Sequence, residues 1–400
     1  MKSLSRRTAL KATAAGTALL GIGGKQAAGE EQLLDKATTV DHWSNTHDRV
    51  WLGGAFWANP MENWRIVDGA AECVSLGGDR NIQLLTHQIT NVDKPLAMSV
   101  HVAQAQVKNQ HGGACFHIVV RSEINEHRAN CFAKNGVSAG IIDGQFRLGR
   151  KLQKLDSPAA ADGVVLELLG ERANEQYRLT LTARDPDSGK ALGTITQMVP
   201  TDYILGNVAL VNNFDAKLKN GQGSRYRFVD WKVAGDAFTF KPEQRFGPIL
   251  WAMHSLSDSR SEEGFVMKIS ALTGPLGEKD NQQVELQVER DGKWMSLGQA
   301  KLDSDAWTAT FRIANWDEKT ATPYKLIYRE KHRDGTTTDD EYDGTIRANP
   351  VGRPLRLGAL TCQNDYAFPY EPVAENLLKL DPDMLFFYGD QLYENHGGYG

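Results

Sequence analysis

Cysteine is scarce in this sequence, whose 400 residues contain four: Cys73, Cys115, Cys131 and Cys362. Four thiols are too few for the disulfide framework on which small secreted domains depend. A chain of this length buries a core large enough to fold without one. We therefore expect at most one disulfide, and Cys115 with Cys131 is the pair to test.

Several catalytic motifs are also missing. The sequence contains no His-Glu-x-x-His and no Gly-x-Ser-x-Gly, and the glycine-rich stretch 397–400 lacks the lysine of a phosphate-binding loop. Internal repeats and low-complexity segments are absent as well. These common signatures of zinc peptidases, serine hydrolases and nucleotide-binding proteins therefore give no functional lead.

Positive charge is concentrated near the N-terminus. Arg6 and Arg7 precede a mildly apolar stretch, Ala12–Gly24, and together they resemble a twin-arginine signal peptide over residues 1–28. The apolar stretch is too short for a stable membrane span. Such a signal implies export of an already folded protein to the periplasm or the extracellular space.

Removal of the signal would leave an acidic protein. The net charge falls from −5 to about −10, because all five basic residues of 1–28 are lost and no acidic ones. Nucleic-acid binding depends mainly on basic contacts to phosphate, so an acidic surface has no general attraction for nucleic acid.

The middle of the chain consists of short alternating segments separated by turn residues, without long helical periodicity. Between residues 47 and 240 the predicted strands are Leu96–Val102, Gly113–Val120, Tyr177–Ala183, Gly193–Val199 and Asn207–Val211. Their spacing predicts a β-sandwich. The segments Trp64–Gly69 and Arg227–Gly235 resemble sequence motifs of the concanavalin-like or laminin G-like jelly rolls of secreted carbohydrate-active proteins.

That resemblance implies a glycan as a partner of the first sandwich. Four tryptophans are the candidate stacking platforms: Trp43, Trp51, Trp57 and Trp64. The same indoles would equally serve to pack the sandwich or its edge, and the sequence leaves both roles open. Asn212, Asn213 and Asp215 offer oxygen ligands for calcium or form a solvated turn.

A second β-rich block extends over residues 246–349. Its predicted strands are Phe265–Ile269, Val284–Glu289, Ala309–Ile313 and Tyr324–Arg329. Asp291-Gly292 and Asp334-Gly335 are typical of tight turns between paired strands. About a hundred residues with six or seven short strands fit a fibronectin type III-like sandwich.

The last segment, residues 354–400, has a different pattern. Leu355–Leu360 predicts a strand, apolar residues on one face predict a helix after Pro372, and Met384–Tyr388 predicts a second strand. In such a β-α-β unit the strands are parallel, so their carboxyl ends meet at one edge of the sheet. Cys362 and Asp390 would then be neighbours.

Cys362, Asp390 and Tyr393 form the candidate metal site. A helical turn after Gly389 would place Asp390 and Tyr393 on one face, three residues apart. Thiolate, carboxylate and phenolate groups suit a strongly Lewis-acidic ion. A nucleophile paired with a general base is less natural here, because no histidine lies close by in the sequence. Alternatively, Cys362 is a small buried hydrophobe, Gly389-Asp390 an ordinary turn and Tyr393 a surface residue.

The matching motifs of this segment are Cys362–Asn364, Asp381–Asp383 and Gly389–Glu394. They resemble the start of the catalytic domain of PhoD-like alkaline phosphatases and phosphodiesterases, within the calcineurin-like metallophosphatases. The resemblance implies that Cys362 and Tyr393 bind Fe³⁺ and that Asp390 bridges to Ca²⁺. Further motifs of that family would lie beyond Gly400, so we expect either a longer chain or an incomplete domain.

The sequence thus predicts a multidomain protein with two β-sandwiches, followed by the first β-α-β unit of an α/β metallophosphatase domain. The resemblance implies an exported metal-dependent phosphoric ester hydrolase in which a metal-bound hydroxide attacks a phosphate ester. The alternative is a secreted glycan-binding or adhesion protein that carries an incomplete, inactive phosphatase remnant.

Overall fold

The computed structural model describes residues 33–106, 112–120, 136–156, 163–214, 223–362 and 370–390. The predicted signal peptide, Cys131 and Tyr393 lie outside the described residues. Within the described part the chain is mainly β-sheet. No helix among these residues has the length and apolar character needed to cross a membrane.

The first half of the chain forms two eight-stranded sheets. Their strands are β1 (Thr38–Thr39), β2 (Phe56–Asn59), β3 (Trp64–Val67), β4 (Ala70–Cys73), β5 (Arg80–Ile89), β6 (Leu96–Gln106), β7 (Gly113–Val120), β8 (Val137–Ile142), β9 (Gln145–Leu148), β10 (Lys151–Lys154), β11 (Val164–Ala173), β12 (Gln176–Arg184), β13 (Ala191–Pro200), β14 (Gly206–Asn212), β15 (Arg225–Ala234) and β16 (Phe238–Phe240). The five strands predicted in this region are confirmed as β6, β7, β12, β13 and β14.

The two sheets interleave segments from distant parts of the chain. One has the order β13-β12-β11-β6-β15-β4-β3, with β1 beside β15, and the other the order β10-β9-β8-β7-β14-β5-β16, with β2 beside β5. Alternating side chains of β11 and β12, such as Leu166, Leu168, Leu179 and Leu181, are completely buried between them. This alternation is the physical reason for a sandwich, because each sheet has one apolar face to remove from water.

The second sandwich has seven strands. They are β17 (Ile249–Asp258), β18 (Phe265–Thr273), β19 (Gln283–Arg290), β20 (Lys293–Lys301), β21 (Thr308–Ile313), β22 (Thr322–Lys331) and β23 (Thr337–Ile346). They form sheets β17-β18-β21 and β20-β19-β22-β23. Asp291 and Gly292, both with positive φ (51° and 71°), form the predicted turn between β19 and β20.

The two sandwiches are joined by residues that precede β2. Trp51 is buried in the core of the second sandwich, although it lies in the chain between β1 and β2 of the first. Its backbone amide donates to the carbonyl of Pro275, at 3.0 Å. Arg333, at the end of β22, binds the Asp48 carboxylate in return. The N-terminal segment therefore belongs to both cores.

The terminal segment contains the predicted order of elements. Strand β24 (Leu357–Leu360) pairs in parallel with β25 (Met384–Phe387), and helix α1 (Glu371–Leu380) lies between them in the chain. All four residues of β25 are exposed within the described part of the chain, whereas a continuous apolar strand of a parallel sheet is normally covered on both faces. This unit extends the chain beyond the sandwiches without contributing to either apolar core.

The Asp381–Asp383 motif has a structural role in this unit. The Asp383 carboxylate accepts two hydrogen bonds from the Arg353 guanidinium, at 2.6 and 2.7 Å, and one from the amide of Arg356. Asp381 ends the helix in a left-handed conformation and pairs with Arg347 at 2.7 Å. One of the motifs behind the phosphatase resemblance thus anchors residues 349–354, the linker after the second sandwich, to the terminal unit.

Candidate functional site

A cleft of about 900 Å³ lies where the two sandwiches meet. One wall consists of residues 38–43, the loop 52–56 and strand β16 of the first sandwich. The opposite wall is the β22–β23 hairpin of the second sandwich, with Glu330, His332, Thr336 and Thr338. The cleft exists because Trp51 and Arg333 hold the sandwiches together just beside it.

An exposed aromatic ring forms part of the first wall. Phe240 is 61% exposed and lies directly across from His87, its partner in the β16–β5 ladder. The centroids of the two rings are 4.9 Å apart with 37° between the planes. The ring centroids of Phe238 and His87 are 6.4 Å apart with 79° between the planes. All three rings line the cleft and together form an aromatic platform.

His87 is oriented by its neighbour. Its Nδ1 lies 3.0 Å from the hydroxyl of Thr86, and its Nε2 has no hydrogen-bond partner within the described ranges. Partial burial lowers the pKa of His87, which keeps the ring uncharged at neutral pH. A neutral imidazole with one nitrogen to spare is suited to hydrogen-bond a hydroxyl group.

Further polar groups surround the platform. On the opposite wall His332 Nε2 lies 2.8 Å from the hydroxyl of Thr338, and Thr336 stands two residues before it. The Arg245 side chain lies across Gly54, where an added Cβ would be 3.3 Å from its Nε and 2.8 Å from the carbonyl oxygen of Gly247. Glycine at position 54 therefore leaves the space that Arg245 occupies.

A buried ion network lies at the base of the cleft. The Arg49 guanidinium binds Glu330 at 2.6 Å and Asp280 at 3.3 Å, and it stacks over the Trp51 ring at 4.7 Å. Burial raises the pKa of Asp280, an effect that the nearby Arg49 charge opposes. Glu330 and Asp280 share the single positive charge of Arg49, and the network ties the first sandwich to β22.

The four tryptophans for which the sequence left sugar stacking and core packing open do not lie together on a surface. Trp43, Trp51 and Trp64 are buried in the cores, so packing is their role. Trp57 is half-buried, packs on Phe246 at 5.0 Å between centroids and donates from Nε1 to Asn59 at 2.9 Å. The aromatic side chain that the cleft does present is Phe240, a residue that the sequence analysis did not single out.

Two members of the predicted metal site are neighbours. The thiol of Cys362 lies 3.5 Å from Oδ2 of Asp390, across the ends of β24 and β25, and both residues are exposed. The third member, Tyr393, lies outside the described residues, so the three-ligand set stays a prediction. Among the residues that the structure describes, no group of three or more His, Cys, Asp or Glu side chains is placed to hold a metal. Nothing here supports the expected Fe³⁺.

Two of the three proposed calcium ligands have other roles, and the third, Asp215, lies outside the described residues. The side-chain oxygens of Asn212 and Asn213 accept hydrogen bonds from the amides of Tyr226 and Ser224, respectively. Both asparagines are completely buried, which excludes the solvated turn. Cys115 is a buried thiol without a bridge to any described cysteine, and Cys131, its partner in the pair to test, lies outside the described residues. Burial raises the pKa of this thiol well above its usual range.

The comparisons with known proteins give no family. No family model matches the chain, and no curated protein matches it. Among similar solved structures, lectin II from Ulex europaeus is 12% identical with a TM-score of 0.29, over 45% of this chain and 91% of the lectin. Arcelin-5, a lectin-like defence protein from Phaseolus vulgaris, is 10% identical with a TM-score of 0.30, over 46% and 92%. A TM-score of this size does not define a ligand.

Another similar structure is the exoplasmic or lumenal domain of VIP36 in a Ca²⁺- and Man3GlcNAc-bound form. It is 10% identical with a TM-score of 0.29, over 45% of this chain and 81% of that domain. These findings contradict the PhoD-like recognition, and with it the prediction of a metal-dependent phosphoric ester hydrolase acting on a phosphate ester. The resemblance rested on three short motifs, of which one anchors the linker and the other two extend outside the described residues.

Proposed function

We propose that this chain is an exported glycan-binding protein and that the cleft between its two sandwiches holds the saccharide. The observation that carries this proposal is the exposed Phe240 ring, supported from behind by His87. Sugar rings have apolar C–H faces that pack on aromatic rings, and their hydroxyls need hydrogen-bonding groups at the edge of that contact. Both requirements are present in one cleft.

The polar groups of the cleft support a ligand rich in hydroxyls. Thr86, His87, His332, Thr336 and Thr338 offer hydroxyl and imidazole groups on both walls. Each direct hydrogen bond from such a group would contribute about 1 kcal/mol after the loss of water is included. A cleft of about 900 Å³ has room for a short oligosaccharide.

We also propose the limits of the modules that carry this function. Residues 47–240 and 246–349 would be the two sandwich modules, with the segment 38–46 added to the first because it lines the cleft. Residues 1–28 would direct export. The terminal strand–helix–strand unit has no part in the proposed site.

Replacement of the exposed ring tests the proposal. Purified protein is applied to an array of immobilised oligosaccharides, and the binding of the best one is then measured by calorimetry. Phe240→Ala should weaken binding about tenfold or more, because the loss of an aromatic stacking partner costs on the order of 1.5 kcal/mol. Tyr203→Ala is the matched control, since Tyr203 is another exposed aromatic residue (53%) that does not line the cleft.

Equal affinity of Phe240→Ala and the unaltered protein would exclude the cleft as the binding site. Absence of any saccharide signal for the unaltered protein would exclude the function itself.

A further inference from the structure

The fixed charges of the cleft are unevenly compensated. Its lining has one acidic side chain, Glu330, and two arginines, Arg49 and Arg245. Glu330 is 2.6 Å from Arg49, whose side chain is 2% exposed. The second carboxylate that binds Arg49, that of Asp280, is completely buried. The acidic group of the cleft therefore has a counter-ion within the protein, although it shares Arg49 with Asp280.

Arg245 has no such partner. It is exposed at the rim, and no carboxylate of the described residues lies within 4.0 Å of its guanidinium. The charge of Arg245 also reaches Asp340 in β23, whose pKa is raised by desolvation and lowered by Arg245. Of the two arginines in the lining, Arg245 is therefore the one whose guanidinium has no close counter-ion among the described residues.

The position of Arg245 is fixed by the backbone. It follows the short turn of residues 242–244, and its amide donates to the carbonyl of Pro242 at 3.2 Å. The next residue is also held, because the amide of Phe246 donates to the carbonyl of Gly54 at 2.7 Å. The guanidinium then lies over Gly54, whose missing side chain provides the space. A guanidinium held in this way is prepared to bind an anion in a defined geometry.

On the basis of the proposed function, we infer that the cleft selects acidic saccharides and that Arg245 binds their anionic group. A guanidinium forms two parallel hydrogen bonds with a carboxylate or a sulfate, and charge-assisted bonds of this kind are stronger than neutral ones. Phe240 lies on the same wall, so the sugar ring and its charged substituent would be bound by different side chains.

The test uses an array of neutral, uronic-acid and sulfated oligosaccharides, followed by calorimetry at low and high salt with the strongest acidic member and its neutral counterpart. The counterpart is obtained by reduction of the carboxylate or removal of the sulfate. Arg245→Gln should weaken binding of the acidic member by about tenfold, and of the neutral counterpart hardly at all. The unaltered protein should lose affinity for the acidic member as salt increases.

Arg150→Gln provides the matched control, because Arg150 is an exposed arginine of the first sandwich outside the cleft. Carboxylated and sulfated members distinguish the two anion chemistries. Equal binding of acidic and neutral members, with no effect of Arg245→Gln, would overturn the inference while the proposed function stands. Failure to bind any saccharide would overturn both.

Discussion

Phe240 and His87 face each other across the β16–β5 ladder, with ring centroids 4.9 Å apart. The pair is asymmetric, because His87 is half-buried and Phe240 is 61% exposed. The buried member therefore supports the exposed one, and the exposed ring has a defined plane before a ligand arrives. This arrangement reduces the conformational entropy that binding would otherwise remove.

A first prediction concerns the support of this ring. His87→Ala should weaken saccharide binding severalfold while Phe240 remains in place, because the ring loses its backing and the cleft loses one hydrogen-bonding nitrogen. His101→Ala is a suitable control, since His101 lies on β6 in the other sheet. Calorimetric titration of both variants with the best saccharide measures the effect. Unchanged affinity of His87→Ala would mean that Phe240 does not depend on this support.

A second prediction concerns the buried ion network. Arg49→Met should destabilise the protein by about 3–5 kcal/mol, because it leaves the buried Asp280 carboxylate without its counter-ion. Arg312→Gln, which removes an exposed pair with Glu263, should cost about 1 kcal/mol or less. Chemical denaturation followed by tryptophan fluorescence compares the two variants. Similar losses for both would show that the Arg49 network has no special weight.

The third prediction concerns pH and Asp41, which is next to His42 of the cleft wall. Burial raises the pKa of Asp41 from an ordinary 3.8 to about 7, and its Oδ2 has no hydrogen-bond partner. The unfolded chain therefore loses this proton first as the pH rises. Stability should fall between about pH 4 and pH 7 by at most roughly 1.4 kcal/mol per pH unit, and the Asp41 contribution should be constant above that range.

Asp41→Asn cannot ionise and should remove this contribution. The variant should gain stability relative to the unaltered protein as the pH rises from 4 to 7, in denaturation curves recorded at each pH. Asp187→Asn, at an exposed loop position, should leave the pH profile unchanged. Parallel profiles for Asp41→Asn and the unaltered protein would contradict the raised pKa.

A fourth prediction concerns the anchor of the terminal unit. Asp383→Asn weakens the paired hydrogen bonds from Arg353, so the linker should be cut severalfold faster in limited proteolysis. Glu375→Gln, which affects only a helix-surface contact with Lys379 at 3.8 Å, should be cut at the ordinary rate. If both variants resist cleavage equally, the carboxylate of Asp383 does not hold the linker.

The strands were the part of the fold that the sequence predicted best. Alternation of apolar residues is a direct consequence of strand geometry, and it located β6, β12 and β19 within a few residues. The proximity of Cys362 and Asp390, which are 28 positions apart, also followed from the rule that parallel strands end at the same edge. Both predictions depended on local patterns only.

The cleft could not be predicted in the same way. Phe240, Arg245 and His332 come from separate segments, and only the packing of one sandwich on the other brings them to a common space. The role of the tryptophans could not be predicted either, because an indole serves equally well in a core and on a surface, and composition does not indicate which. A partial signal for Phe240 did exist, since Phe238–Phe240 alternates two aromatic residues immediately before Pro242.

Trp51 gives the junction between the sandwiches a mechanical character. Its indole is buried in the core of the second sandwich, while the residues on either side of it belong to the first sandwich and its cleft. A force that pulls the two modules apart would have to draw a large aromatic side chain into water before the connecting segment 241–248 could extend. The pair should therefore resist tension as one body up to a threshold and then yield abruptly.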